Sequence, residues 1–213
     1  MRVVNAGYQI LDDLDGDAIL KKIERVARVC YKSEDKAGDG TAEKLVRSLI
    51  KSKHEAMLEH FSFSVLFTVD RGVSHELVRH RVASFAQEST RYCNYSKGDF
   101  GAEITVIKPL YLDEGMVAYT NWEISCKEAE RAYFQMLEFG LMPQEARAVL
   151  PNSLKTEIVV TANLREWRHI LALRAVGTTG NPHPQMREVM IPLLKELRER
   201  VPVIFDDLEV DDS

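Results

Sequence analysis

The sequence predicts an α+β fold, mostly helices packed around a small, mainly antiparallel sheet, in a single domain. Three observations predict it. Most apolar residues recur at steps of three and four, the spacing of one helix face. One stretch, Phe61-Ser-Phe-Ser-Val-Leu-Phe-Thr-Val-Asp70, alternates instead, and its aromatic and β-branched residues suit a strand. The chain has 213 residues, 45% of them apolar and 29% charged. A globular chain of that size buries roughly 70% of the surface its unfolded form exposes. This composition excludes a disordered chain, a collagen-like repeat and a disulfide-dense module.

Val3 to Leu11 reads as a first strand. Asp15 to Tyr31 reads as a helix capped by Asp15 or Asp17, with Ile19, Ile23, Val26, Ala27 and Cys30 on one face. After a polar connection, Thr41 is placed to cap a helix through Lys53 that buries Leu45, Leu49 and Ile50. The aromatic strand follows. Gly72 then turns the chain and Ser74 can cap a helix through Arg81. Glu103 to Ile107 suits a short strand. Glu114 to Phe139 reads as a long helix, with Met116, Tyr119, Trp122, Cys126, Ala129, Tyr133 and Met136 as its apolar stripe and Gly140 as its stop. Pro143 opens a short helix that Pro151 ends. Leu154 to Ala162 reads as a strand and Arg165 to Ala175 as a helix. Pro182 or Pro184 opens a last helix to Arg200, which Pro192 is expected to kink or split.

The net charge of −5 comes from 33 acids against 28 bases. Residues 206–213 hold five acids and no base, so residues 1–205 form a neutral domain and 206–213 an acidic tail, expected to be frayed and solvated. A neutral body gives no global reason to expect nucleic acid. Cys30, Cys93 and Cys126 are too few and too scattered for a disulfide framework or a structural zinc site. No secretory h-region opens the chain, and no apolar run approaches the ~18 residues of a membrane span. A cytoplasmic setting without membrane contact is expected.

Three segments carry chemistry. In Lys53-His-Glu-Ala-Met-Leu-Glu-His60 a metal reading competes with one of hydrogen-bonded histidines. The two histidines lie six residues apart, which puts them about 120° apart on a helix, so no metal site is expected there. His54 better suits an organic ligand. In Ser74 to Arg91, the consecutive Arg79, His80 and Arg81 fan out by about 100° each on a helix, so they cannot share one solvated face. With Ser84, Ser89 and Arg91 they form either a phosphate-binding set or a solvated basic patch beside a polar loop. In Thr161 to Arg174, Arg165, Arg168 and His169 share one helix face. Trp167, Ile170, Leu171 and Arg174 share another, so Arg174 is either led inward or snorkels at the helix end. Asn163 suits the helix cap, and Arg147 reads by default as a solvated arginine. No glycine pattern marks a Rossmann site or a P-loop.

Arg79-His80-Arg81-x-x-Ser84-x-x-x-x-Ser89-x-Arg91 resembles the signature of the flavin-dependent thymidylate synthases. His54-Glu55 through Glu59-His60, Gln144-Glu145-Ala146-Arg147 with Leu150-Pro151, Asn163-x-Arg165-x-Trp-Arg-His169 with Leu173-Arg174, and Pro184-Gln185-Met-Arg-Glu188 are similar to further motifs of that family. The similarity covers residues 15–200. The resemblance implies methylation of dUMP to dTMP, with 5,10-methylenetetrahydrofolate as carbon donor, NADPH as reductant and tightly bound FAD. It also implies a homotetramer with active sites at subunit interfaces. Its FAD contacts would be His54, Arg79, His80, Arg81, Gln87, Asn163, Arg165 and His169. Its dUMP contacts would be Glu76, Arg79, Gln87, Glu88, Ser89, Thr90, Arg91, Arg147 and Arg174, with Arg174 as the catalytic residue facing the uracil. The chain departs from the pattern at Glu76, Gln87 and Ala56, where many members have Gln, Glu and Thr. Glu88 then stands where it can assume part of the displaced carboxylate's role. The competing reading is a catalytically inactive nucleotide- or nucleic-acid-binding protein that uses Arg79, Arg81 and Arg91 on phosphates.

Overall fold

The computed structural model describes residues 1–96 and 101–210. The strands are β1 (Arg2–Val4), β2 (Gly7–Ile10), β3 (Ser62–Asp70), β4 (Ser84–Gln87), β5 (Thr105–Ile107) and β6 (Lys155–Asn163). The α-helices are α1 (Gly16–Val29), α2 (Thr41–Lys51), α3 (Arg71–Leu77), α4 (Val117–Glu138), α5 (Pro143–Ala146), α6 (Leu164–Leu171) and α7 (Pro184–Arg200). The expected α+β class stands, with helices around a small antiparallel sheet whose strand order is β2-β3-β6-β4. The predicted first strand is instead two. β1 leaves for a separate parallel pairing with β5, Val3 opposite Val106, while β2 joins the four-stranded sheet.

The chain divides into two compact units. The first comprises Met1–Gly7, Phe67–Arg79 and Phe85–Val159. Its core gathers Ile104, Val106, Tyr133, Ala146 and Leu154 under α4. The stripe expected on α4 holds from Tyr119 on, with Cys126 and Tyr133 buried, but Met116 precedes the helix as its N-cap and is exposed. The charged amino group of Met1 is tied to Glu130 at 2.9 Å and Glu103 at 3.3 Å. The second unit comprises Tyr8–Leu66, His80–Ser84 and the chain from Val160 onward. There Phe63 stacks on Trp167 at 5.0 Å between ring centres, and the indole Nε1 donates to the Phe63 carbonyl at 3.1 Å.

Several local expectations change. Asp15 caps α1 as predicted, but Cys30 lies past the helix end and is exposed. α2 starts from Gly40 in the left-handed conformation, φ 71°, while the Thr41 hydroxyl closes the preceding turn onto Gly38. Asp70, not Ser74, caps α3, and that helix ends at Leu77, so Arg79, His80 and Arg81 are not helical. α6 ends at Leu171 and continues as a π-helical turn over Ala172–Val176. α7 runs through Pro192 as one helix. The face made by Met186, Val189, Met190, Leu193, Leu194 and Leu197 is buried over its whole length, and that packing outweighs one missing backbone bond.

The acidic tail is the largest correction. Val201, Val203, Ile204 and Phe205 are buried, so the chain is anchored directly before the acids. Asp206 then pairs with Arg47 at 3.0 Å, and Asp207 forms a two-pronged pair with Arg168 at 2.6 and 2.8 Å. Residues 211–213 of the predicted tail lie outside the described residues.

Gly16 has no room for a side chain, since a Cβ there would lie 2.5 Å from the Arg200 carbonyl oxygen. Alanine normally gains up to about 1 kcal/mol over glycine in a helix. Here the clash with backbone outweighs that gain, and Gly16→Ala should lower stability by roughly 1–3 kcal/mol, several degrees of Tm. Gly38→Ala, with nothing within 4 Å of its Cβ, should leave Tm within about 2 °C. Thermal melts of the two variants check this, and equal Tm values would contradict it.

Candidate active site

In the second unit a cleft of about 720 Å³ is lined by Lys53, Glu59, Asn163, Arg165, His169 and Asp207, among others. The strand-to-helix junction at Asn163 builds one wall. The Asn163 side chain accepts from the Glu166 amide at 2.9 Å, so it is the cap its position predicted. That turn sends Arg165 and His169 outward into the cleft, while Trp167, Ile170 and Leu171 go into the core. Arg168 was expected to share the face of Arg165 and His169. It lines the cleft but is buried at 6% exposure, held by Asp207, by the Ile204 carbonyl and by Glu55 at 3.5 Å. Arg165 is exposed and pairs with Glu59 at 2.5 Å. His54 is exposed and does not line the cleft, although its neighbours Lys53 and Glu55 do.

Beneath this wall lies a buried polar chain. His80 is 6% exposed, and its Nε2 accepts from Arg174 Nε at 3.1 Å. Its Nδ1 lies 3.8 Å from a carboxylate oxygen of Glu166, and its ring meets that of His169 edge-on at 5.9 Å. Burial, then the Arg174 guanidinium, then His169 push the His80 pKa down to about 4, so the ring is neutral at physiological pH. Burial raises the Glu166 carboxyl, an effect that His169 and Arg165 partly offset. Arg174 takes the inward one of its two expected placements, partly buried, and sits on the π-helical turn rather than on a regular helix.

The first unit holds most of the phosphate candidates. Ser89, Thr90 and Arg91 follow β4 in one turn, with the Arg91 amide donating to Ser89 Oγ at 3.3 Å. Thr90 is buried, and Arg147, exposed as its default reading had it, reaches the Thr90 hydroxyl through Nη1 at 3.1 Å. Arg79 and Arg91 are exposed, and Arg91 lies over the Tyr92 ring at 5.4 Å. The loop is braced from below. Gln87 Nε2 donates to Ser74 Oγ at 2.8 Å and Thr156 Oγ1 at 3.3 Å, and Glu88 accepts from Tyr95 at 3.1 Å and Lys155 at 3.4 Å. Burial and then Glu88 raise the Cys93 thiol above its ordinary value. Glu76 is half-buried on α3; Arg81 is exposed in the second unit.

The family model described as thymidylate synthase complementing protein matches residues 14–203. The flavin-dependent thymidylate synthase of Mycolicibacterium vanbaalenii is 36% identical over 212 residues, covering 93% of this chain and 82% of that protein. That of Corynebacterium aurimucosum is 34% identical over 206 residues, covering 88% and 79%. The chain belongs to the flavin-dependent thymidylate synthase family. Its fold is also that of a UMP/dUMP methylase of Streptomyces cacaoi solved with 5-bromo-dUMP, with a TM-score of 0.80 at 24% identity over 97% of this chain and 96% of that one.

In this family member the expected FAD residues His80, Asn163, Arg165, His169, His54 and Arg81 all belong to the second unit, and Arg79 and Gln87 to the first. All the expected dUMP residues except Arg174 belong to the first. Sequence reading missed Glu166, Lys53, Glu59 and Asp207. Glu166 carried one signal: it stands three residues after Asn163, the spacing of a capping-box acid, which is ordinarily an exposed position. Asp207 carried none, because it is one of five acids in the last eight residues. Among the described residues, no cluster of three or more His, Cys, Asp or Glu side chains suits a metal ion.

The neutral His80 predicts a pH dependence. The folded protein holds the ring unprotonated down to about pH 4, whereas an unfolded chain protonates it near 6.5. The unfolded state thus binds the extra proton, and stability falls as pH drops through this window. The contribution between pH 7 and pH 5 is about 2 kcal/mol. Urea unfolding at those two pH values should show His80→Gln losing most of that difference. An unchanged difference would show that His80 is not the titrating group.

Proposed function

We propose that this chain is a flavin-dependent thymidylate synthase that converts dUMP to dTMP. The observation that carries the reading is the Arg174 guanidinium bonded to a neutral imidazole, His80. The bond to an uncharged ring does not itself cancel the charge of the guanidinium. Facing the uracil, the guanidinium stabilises negative charge developing at N3 where water is excluded. Ser89, Thr90, Arg91 and Arg147 take the nucleotide phosphate, since two guanidinium forks and two hydroxyls match its oxygens. Arg79, Glu76, Gln87 and Glu88 complete the nucleotide site.

The second-unit cleft suits FAD. Its volume falls within the range of cofactor pockets. It offers Asn163, Arg165, His169 and Lys53 to a dinucleotide. Glu59 competes for Arg165, but both side chains are about half exposed, and such pairs contribute only about 0–1 kcal/mol. His54, Arg79, His80, Arg81 and Gln87 are the remaining FAD residues of this reading. FAD reduced by NADPH supplies hydride, and 5,10-methylenetetrahydrofolate supplies the carbon. Exposed apolar side chains on α4, Val117 and Ile124, together with Phe139 at its end, support assembly into the homotetramer. Three free cysteines and no described helix able to cross a membrane are consistent with a cytoplasmic enzyme.

A purified protein of this function is yellow and oxidises NADPH only with added dUMP. Arg174→Ala should remain folded and flavin-loaded while dTMP formation falls by at least about a hundredfold. Normal turnover in that variant would refute the role given to Arg174.

No cysteine is poised as a nucleophile in this reading. The Cys93 thiol is raised by burial and Glu88, and that of Cys126 is pushed up by burial to about 11. The Cys30, Cys93 and Cys126 triple alanine variant should still release tritium from [5-³H]dUMP. If that variant folds and releases none, a covalent cysteine route operates instead.

A further inference from the structure

We propose that Glu166 is a positioning residue for Arg174, acting through the Nδ1–H tautomer of His80. The proposal rests on the reading of Arg174 as the uracil-facing cation. Arg174 Nε bears a single hydrogen, and it is aimed at His80 Nε2 from 3.1 Å. A ring nitrogen that accepts carries no hydrogen, so the neutral ring has its proton on Nδ1. Nδ1 faces Glu166 Oε1 at 3.8 Å. That distance is an electrostatic contact, about 1 Å longer than a hydrogen bond. The carboxylate attracts the Nδ1–H dipole, and the alternative tautomer would set two N–H hydrogens head to head between His80 and Arg174. Both ends of the chain therefore favour one tautomer, and free imidazole has no such bias.

Glu166 is built into this place. Its backbone amide is held by the Asn163 cap at 2.9 Å, and its side chain is only 10% exposed. The charged or titratable groups around it are His80 from the segment after α3, and Arg165 and His169 from α6 itself. A buried carboxylate without a partner would be costly. Beside the Nδ1–H of His80 it is partnered, and it orients the ring. Because Arg174 Nε donates to the ring, a turn of the imidazole moves the acceptor that Arg174 meets. A change at Glu166 reaches the guanidinium through one intervening ring. The neutral histidine agrees with this arrangement.

The test uses flavin-loaded protein labelled with ¹⁵N at the histidine rings, with His80 signals identified by their loss in His80→Gln. Wild type should show His80 as the Nδ1–H tautomer. Glu166→Ala should mix the tautomers and lower kcat for dTMP formation by about ten- to hundredfold, with flavin content unchanged. Glu166→Gln, which keeps the size of the side chain but not its charge, should fall between wild type and Glu166→Ala in both signals. An Nε2–H tautomer in wild type overturns the proposal, and so does Glu166→Ala with wild-type tautomer and kcat. If Glu166→Ala does not fold, the wild-type tautomer and the Glu166→Gln kinetics decide. Wild-type protein that makes no dTMP refutes the functional reading alone, because the tautomer measurement still decides the Glu166 contact.

Discussion

The rotation of α6 about its own axis decides where every charged residue of that segment goes, and Trp167 sets the rotation. Its indole is fully buried, stacked on Phe63 and hydrogen-bonded to the Phe63 carbonyl at 3.1 Å. Burying a large aromatic side chain stabilises by about 1.5–3 kcal/mol, and stacking adds about 1. No surface ion pair on this helix competes with that. With Trp167 inward, geometry at 100° per residue puts Arg165 and His169 toward the cleft. Asn163 locks the start of the helix, so it cannot slide along β3.

Arg168 shows what the same constraint requires of a charge it cannot expel. One step beyond Trp167, it lies at the edge of the core, where an unpaired guanidinium would be costly. The buried run Val203, Ile204 and Phe205 leads the chain to it and delivers the Asp207 carboxylate and the Ile204 carbonyl. Val203 holds φ 78° to make that approach, a strained conformation for a β-branched residue. Hydrophobic burial on either side of it offsets the strain. Arg168 in turn holds the Asp207 carboxyl below its ordinary value. The acidic tail is thus part of the cleft wall, because apolar residues anchor it and a buried cation needs it.

Periodicity was enough to read α1, α4, β3 and β6, because each buries a regular face that repeats in the sequence. Phe63, Val65, Phe67 and Val69 alternate into the core as their spacing requires. The split of the first strand was illegible, since Arg2–Val4 and Gly7–Ile10 look alike until β5 supplies a partner for one of them. The end of α3 was illegible for a similar reason: Val78 to Arg81 suits a helix in composition, and the turn there depends on the contacts of His80. In the site, the motif residues were legible one by one. Their supports were not, because Glu166, Lys53, Glu59 and Asp207 are ordinary surface residue types whose role comes from neighbours far along the chain.

Arg168 and Arg174 make the limit of sequence reading concrete. They lie six residues apart, and both were led inward. Arg168 met carboxylates, Asp207 and Glu55, so its charge is neutralised and both of its Nη groups are held within the fold. Arg174 met an imidazole that burial and the arginine itself keep uncharged, so its positive charge is not cancelled by that partner. An ion pair and a bond to a neutral ring hold a guanidinium with similar firmness. The second adds no charge opposed to that of the guanidinium. The identity of that partner, contributed by a segment nearly a hundred residues away, therefore distinguishes the surroundings of two arginines that look alike in the sequence.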